Sequence, residues 1–182
     1  MIILASASPR RKELFSIIEN NFKIIPADIE EILPDGIPAE QAAEFLSVQK
    51  AKAVFQEHPE DTVIGCDTAV ICEGEILGKP KDSGDAKRML SLLSGKTHKV
   101  ITGCAIFKNG KSLSFSEVTE VTFFELGEKE IDDYIATNEC FDKAGAYAIQ
   151  GFGSLLVEKI NGDYFNVVGL PVAKLNKMLK RI

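Results

Sequence analysis

The stretch Thr62-Val63-Ile64-Gly65-Cys66-Asp67-Thr68-Ala69-Val70-Ile71-Cys72 is apolar and β-prone and carries a single carboxylate in its middle. Such a run belongs inside a sheet, where an ionised side chain without a partner costs several kcal/mol. Asp67 therefore needs a cation, a metal or hydrogen-bond donors beside it, or else it stands at a strand end and caps the following turn. Gly65, two positions earlier, suits a bulge or the close approach of another element. Cationic segments elsewhere in the chain have to supply the partner.

The chain of 182 residues is long enough for a substantial core, and we read residues 1–182 as one domain. With 45% hydrophobic and 26% charged residues it is an ordinary globular composition, which argues against disorder. A net charge of -6 disfavours adhesion to nucleic acid through a basic surface, so any phosphate site must be local. Met1-Ile2-Ile3-Leu4-Ala5 lacks the basic and apolar regions of a signal peptide, and no apolar run reaches the ~18 residues that span a bilayer. The expectation is a cytoplasmic protein with no membrane contact. Cys66, Cys72, Cys104 and Cys140 show no paired metal spacing and read as reduced, mostly buried thiols.

Residues 1–5 form a short strand that enters Ser6-Ala7-Ser8-Pro9-Arg10-Arg11-Lys12, after which Leu14, Phe15, Ile17 and Ile18 recur at helical spacing. Ser8 suits the N-cap and Pro9 the first helical position. Arg10, Arg11 and Lys12 then fall in a first turn whose dipole disfavours cations, a mismatch that a bound anion relieves. The alternative is a solvated basic patch. Phe22 to Ile25 reads as a strand, and the acidic Asp28-Ile29-Glu30-Glu31 beyond it could hold a hard divalent cation. A helix from Pro38 to about Phe55 should turn Ala42, Phe45, Leu46, Ala53 and Val54 inward and leave Lys50 and Lys52 on other faces, where lysines are usually solvated.

Glu73-Gly74 joins the central run to a returning strand over residues 75–77, a hairpin that brings Lys79 back toward Asp67. Asp82 or Ser83 caps a helix with Ala86, Met89, Leu90 and Leu93 on one face. Ser94-Gly95-Lys96-Thr97 is not a P-loop, because Leu90 stands where the first Gly belongs and a helix precedes it. Thr68-Ala69 after Asp67 likewise lacks the second Asp of a haloacid-dehalogenase-type phosphatase. Residues 99–107 and 111–124 pair across Asn109-Gly110, and residues 128–136 form a helix with Ile131, Tyr134 and Ile135 inward. The glycine-rich residues 141–153 let backbone approach a planar ligand and offer Gln150 to a base edge, or they form a purely structural loop. Residues 155–160 and 164–168 are expected to pair across Asn161-Gly162-Asp163, and Pro171 starts a final helix packed through Val172, Leu175, Leu179 and Ile182. These patterns alone imply an α/β or α+β fold.

Together, Ala5-Ser6-Ala7-Ser8-Pro9-Arg10-Arg11, Gly65-Cys66-Asp67-Thr68, Leu77-Gly78-Lys79-Pro80, Leu93-Ser94-Gly95-Lys96-Thr97-His98, Asp142-Lys143-Ala144-Gly145-Ala146-Tyr147 and Asn161-Gly162 resemble the Maf family of nucleoside triphosphate pyrophosphatases. The resemblance runs in the family's order through Gly169-Leu170-Pro171. It implies an α/β fold similar to the inosine-triphosphate pyrophosphatases: an elongated mixed sheet, flanking helices and a nucleotide cleft between two lobes. Arg10, Thr68 and Gln150 match the dTTP/UTP-type branch and imply selection of a pyrimidine base. Asp67 is implied as proton acceptor, while Ser8, Arg11, Glu31, Lys50 and Lys79 match polar positions of the family's cleft. Glu31 and Asp67 would hold Mg2+ or Mn2+, and the reaction would release monophosphate and diphosphate. Two other readings use the same pocket: a nucleotide-binding regulator of cell division without turnover, and a purine enzyme acting on inosine or xanthosine triphosphate. A homodimer is the default assembly.

Overall fold

The computed structural model describes residues 1–182. One mixed sheet of seven strands runs through the protein: β1 (Ile2–Ala5), β2 (Phe22–Ile24), β3 (Thr62–Cys72), β4 (Glu75–Leu77), β5 (Thr97–Lys108), β6 (Lys111–Phe123) and β7 (Val157–Asn161). Their order is β2-β1-β3-β5-β6-β7, with β4 paired to β3 off this path. β1 is parallel to both β2 and β3, and every other pairing is antiparallel. Helices α1 (Pro9–Phe15), α2 (Ala39–Glu57), α3 (Ser83–Leu93), α4 (Glu128–Ala136), α5 (Tyr164–Val168) and α6 (Val172–Leu179) flank it. No helix is long and apolar enough to cross a membrane.

Side-chain alternation along β3 sorts the core. Val63, Ala69 and Ile71 point to the face covered by α2, while Ile64, Cys66, Val70 and Cys72 point to the other. On that other face Ile64 and Cys66 pack with Leu4, Phe15 and Leu175 in one cluster, and Val70 and Cys72 with Leu90, Leu93 and Phe123 in a second. Asp67 and Thr68 sit where the clusters on either face change over. The expected caps and turns are present: Asp82 accepts from the Asp85 N–H, and Glu73-Gly74 and Asn109-Gly110 have the positive φ angles of tight hairpin turns. The cysteines are all free and buried.

Two expectations about the secondary structure and its apolar faces require correction. Residues 164–168 form helix α5, not a strand: the Asp163 carboxylate accepts from the Phe165 N–H and caps a helical turn, while β7 pairs instead with the distant β6. The inward face of α2 is also made of smaller residues than the periodicity suggested. Ala42, Ala43, Leu46, Ser47, Ala51 and Val54 are buried, whereas Phe45 and Ala53 are only half-buried. The cause is a very close helix-to-sheet approach. A Cβ at Gly65 would overlap the Ser47 carbonyl and the Ala51 amide, and one at Gly103 would overlap the Ala43 backbone.

Candidate functional site

The sheet topology itself leaves an opening. Along one edge of β3, β1 pairs only as far as Ala5 with Gly65, and β4 begins at Val70 with Leu77. Residues 66–69 therefore have no strand partner on that edge, although β5 pairs with them on the other. β1 leads through α1 to β2 on one side, and β2 leads through α2 to β3 on the other, so the opening lies at a topological switch point beyond the carboxyl end of β1. Open α/β sheets bind ligands at such points.

The start of α1 fills part of this gap. Ser8 is the N-cap, and its Oγ accepts from the Arg11 N–H at 3.4 Å. The Arg11 guanidinium reaches back along the β3 edge, donating to Gly169 O at 2.9 Å, Ser6 Oγ at 3.2 Å, Cys66 O at 3.0 Å and Thr68 Oγ1 at 2.9 Å. These bonds leave it one of its five N–H groups for a ligand. Arg10 points across the cleft to Asp142 at 3.7 Å.

Asp67 points the opposite way from Thr68, beneath α2. The Lys50 ammonium lies 2.6 Å from its Oδ1 and 2.8 Å from Glu31 Oε1, so one cation bridges two carboxylates. Lys50 thus departs from the expectation that it sits on an outward face: its side chain is 13% exposed, because the small residues around Gly65 bring this part of α2 onto β3. Burial pushes the Asp67 carboxyl above the ordinary carboxylate range, and the charge and hydrogen bond of Lys50 hold it back down. No group of three or more His, Cys, Asp or Glu side chains converges as a metal cage. Asp67 and Glu31 already converge on one cation, a donor pair that fits Mg2+ when waters and an anion complete the shell. Glu30, the neighbouring alternative to Glu31, lines a separate hollow against the outer side of α2 with Ile29 and Ile32.

The far wall comes from residues 142–150 and the end of β4. Ser8, Arg10, Arg11, Glu31, Lys50, Asp67, Thr68, Lys79 and Gln150 all line one cleft of about 680 Å³. Lys79 and Gln150 are exposed on its rim, and Lys79 makes no ion pair with Asp67. The Gln150 segment is clamped from outside: Tyr134 Oη accepts from the Ala148 N–H at 3.2 Å, and the Glu139 carboxylate accepts from Phe152 and Gly153 N–H groups at 3.0 and 3.2 Å. Tyr147 packs against His98, with its hydroxyl 2.7 Å from Nε2.

Sequence reasoning missed what stands behind Thr68. Its hydroxyl is 2.9 Å from Thr102 Oγ1, which donates to the Asn166 carbonyl at 2.9 Å. Thr102 and Asn166 are both fully buried. Nothing in a threonine and an asparagine, each expected in a strand, marks such a network in advance; only the unexpected helix α5 turns Asn166 inward.

The sequence model described as Maf-like protein matches residues 1–182. A dTTP/UTP pyrophosphatase of Bacillus cytotoxicus is 51% identical over 179 residues, covering 98% of this chain and 94% of that protein. A dTTP/UTP pyrophosphatase of Clostridioides difficile is 49% identical over 182 residues, with 99% and 94% covered. Among solved structures, a HAM1 protein from Coxiella burnetii shares the fold, with a TM-score of 0.56 at 15% identity over 100% of this chain and 98% of that one. An opening at the β1 switch point, lined by the motifs that first suggested the resemblance, thus occurs in a sequence matched from end to end, and the chain belongs to the Maf family.

Proposed function

We propose that the protein hydrolyses nucleoside triphosphates to the monophosphate and diphosphate, with dTTP and UTP, or modified pyrimidine nucleotides like them, as substrates. The observation that carries this reading is Asp67, a carboxylate in the β3 opening whose Oδ1 is engaged by Lys50 at 2.6 Å and whose Oδ2 has no protein partner. The names of relatives that share about half the sequence support the same chemistry.

Asp67 takes a proton from the attacking water through Oδ2, a role suited by a carboxyl held above its ordinary range. The water oxygen bonds to the α-phosphorus, the bond to the bridging oxygen breaks, and diphosphate leaves in line. Lys50, Lys79 and the remaining Arg11 N–H offset phosphate charge, while Ser8 and the start of α1 cradle the tail. Asp67 and Glu31 would hold a divalent cation, Mg2+ or Mn2+, which would add charge neutralisation at the phosphates. Arg10, Thr68 and Gln150 select the base. The enzyme acts in the cytoplasm on free nucleotides, as a homodimer.

Incubating the purified protein with dTTP or UTP and Mg2+ tests this reading. Equal amounts of monophosphate and diphosphate are expected. Release of orthophosphate and a nucleoside diphosphate would move cleavage to the terminal phosphate and overturn it. Adding CTP, ITP and 7-methyl-GTP to the panel tests the choice of base.

A further inference from the structure

Hydrogen-bond roles behind Thr68 can be assigned from groups that have no choice. The Asn166 backbone carbonyl only accepts, so the Thr102 hydroxyl spends its one proton there, at 2.9 Å. Thr102 Oγ1 can then only accept from Thr68, 2.9 Å away. Arg11 only donates, and its NH2 nitrogen takes one lone pair of Thr68 Oγ1 at 2.9 Å. The Thr68 hydroxyl, on a residue that lines the cleft, is left with no proton to offer and one lone pair without a protein partner.

The anchor of this chain cannot turn over. Asn166 Oδ1 accepts from the Thr102 N–H at 3.1 Å, while its Nδ2 donates to Val100 O at 3.0 Å and Thr119 Oγ1 at 2.9 Å. A flipped amide would set donor against donor at Thr102 and acceptor against acceptor at Val100. The position of the Asn166 carbonyl, and hence the proton order, is fixed by the fold.

We propose that Thr102, anchored by Asn166, is a specificity-determining positioning residue that holds Thr68 as a hydrogen-bond acceptor only, so that the site reads an N–H on the pyrimidine edge. The proposal rests on the reading above that Thr68 faces the base. Uracil and thymine present N3–H between two carbonyl groups, and this proton meets the free lone pair of Thr68. Cytosine presents an unprotonated N3, which brings lone pair against lone pair. A freely rotating threonine would donate to cytosine N3 and accept from uracil N3–H, and would not discriminate. Discrimination therefore comes from a residue the substrate never touches. Buried polar groups mispaired in this way account for large differences in kcat/KM between similar substrates.

The test compares kcat/KM for UTP and CTP in the parent protein, Thr68→Val, Thr102→Val and Thr102→Ser. Thr102→Val should free the Thr68 proton and lower the UTP:CTP ratio about tenfold or more, chiefly by improving CTP, while Thr102→Ser keeps the ratio of the parent. An unchanged ratio in Thr68→Val would show that Thr68 does not face the base and would overturn the proposal together with the reading beneath it. A ratio that falls in Thr68→Val but not in Thr102→Val overturns the proposal alone. Should Thr102→Val fail to fold, 3-deaza-CTP tests the parent directly, because a C–H replaces the ring nitrogen. An acceptor-only Thr68 turns it over at or above the rate for CTP; turnover about tenfold or more below CTP means that Thr68 donates, and overturns the proposal.

Discussion

Lys50 Nζ lies 2.6 Å from Asp67 Oδ1, joining the interior of a 19-residue helix to the interior of an 11-residue strand. The same ammonium reaches Glu31 at 2.8 Å, so two carboxylates from separate segments converge on a point over the β3 opening. The geometry depends on Gly65, two residues from Asp67 on the same face, since any side chain there would lift α2 off the sheet.

Replacing Asp67 by Asn keeps the shape and removes the proposed proton acceptor. Turnover should fall about 100-fold or more, measured as diphosphate release. Stability should move the other way. Because burial raises the folded carboxyl pKa, its contribution to stability is complete below the unfolded value and is lost as pH rises through the folded one. In metal-free buffer at neutral pH, Asp67→Asn should therefore melt no lower than the parent, and any gain should vanish on acidification.

Gly65→Ala should be among the most damaging single-methyl additions in the protein. The new Cβ meets the backbone of Ser47 and Ala51, which cannot rotate away, and the cost should be about 2–3 kcal/mol with lost activity as Lys50 is displaced. Gly78→Ala is the control for stability, with nothing within 4 Å of the added carbon, and should be close to neutral in urea unfolding.

His98 should make the fold sensitive to acid. It is 2% exposed, its Nδ1 has no partner, and burial lowers its pKa from 6.5 to about 4. The stability tied to its neutral form is whole above pH 6.5, where neither state binds the proton, and declines as pH falls toward 4, because only the unfolded state takes it up. The parent should lose about 3 kcal/mol over that window relative to His98→Gln, whose amide can donate to or accept from the Tyr147 hydroxyl. Denaturant titrations at a series of pH values measure the difference.

Glu139 is half-buried and does not line the cleft, yet it holds the Phe152 and Gly153 N–H groups beside Gln150. Gly151, at φ +65°, packs so closely on this carboxylate that a Cβ there would overlap it. Glu139→Ala should raise KM for dTTP about tenfold with a smaller change in kcat, and should speed amide exchange at residues 148–153. Glu139→Gln, which keeps one acceptor oxygen, should retain most of the affinity.

Features that depend on neighbours in the chain were legible. Ser8 and Pro9 start α1 because an N-cap and a fixed φ act within one turn, and Asn109-Gly110 closes its hairpin because those two residues accept positive φ. Leu90 and Leu93 fell on the buried side of α3 because its apolar stripe is strong enough to stand alone. Residues 164–168 were misread as a strand because their apolar letters fit either period, and the Asp163 cap with a buried Asn166 decided for a helix. Periodicity alone turns Lys50 outward, against the resemblance that puts it in the cleft, for a related reason: α2 has small residues rather than large ones toward the sheet, so its sequence carries almost no apolar stripe to show which way it faces. The resemblance already points to Glu31 rather than its neighbour Glu30, and the fold separates them, Glu31 lining the cleft and Glu30 a hollow on the other side of α2.

The sequence by itself determined the elements, their caps and turns, and, through motifs spread along its whole length, the family and the residues that line the cleft. Only the tertiary structure decided that Lys50 is the cation that meets Asp67 and that the buried Thr102 and Asn166 stand behind Thr68. Those outcomes depend on distances between segments far apart in the chain, and such distances are set by how closely a helix can approach a sheet and by where two strands stop short of each other.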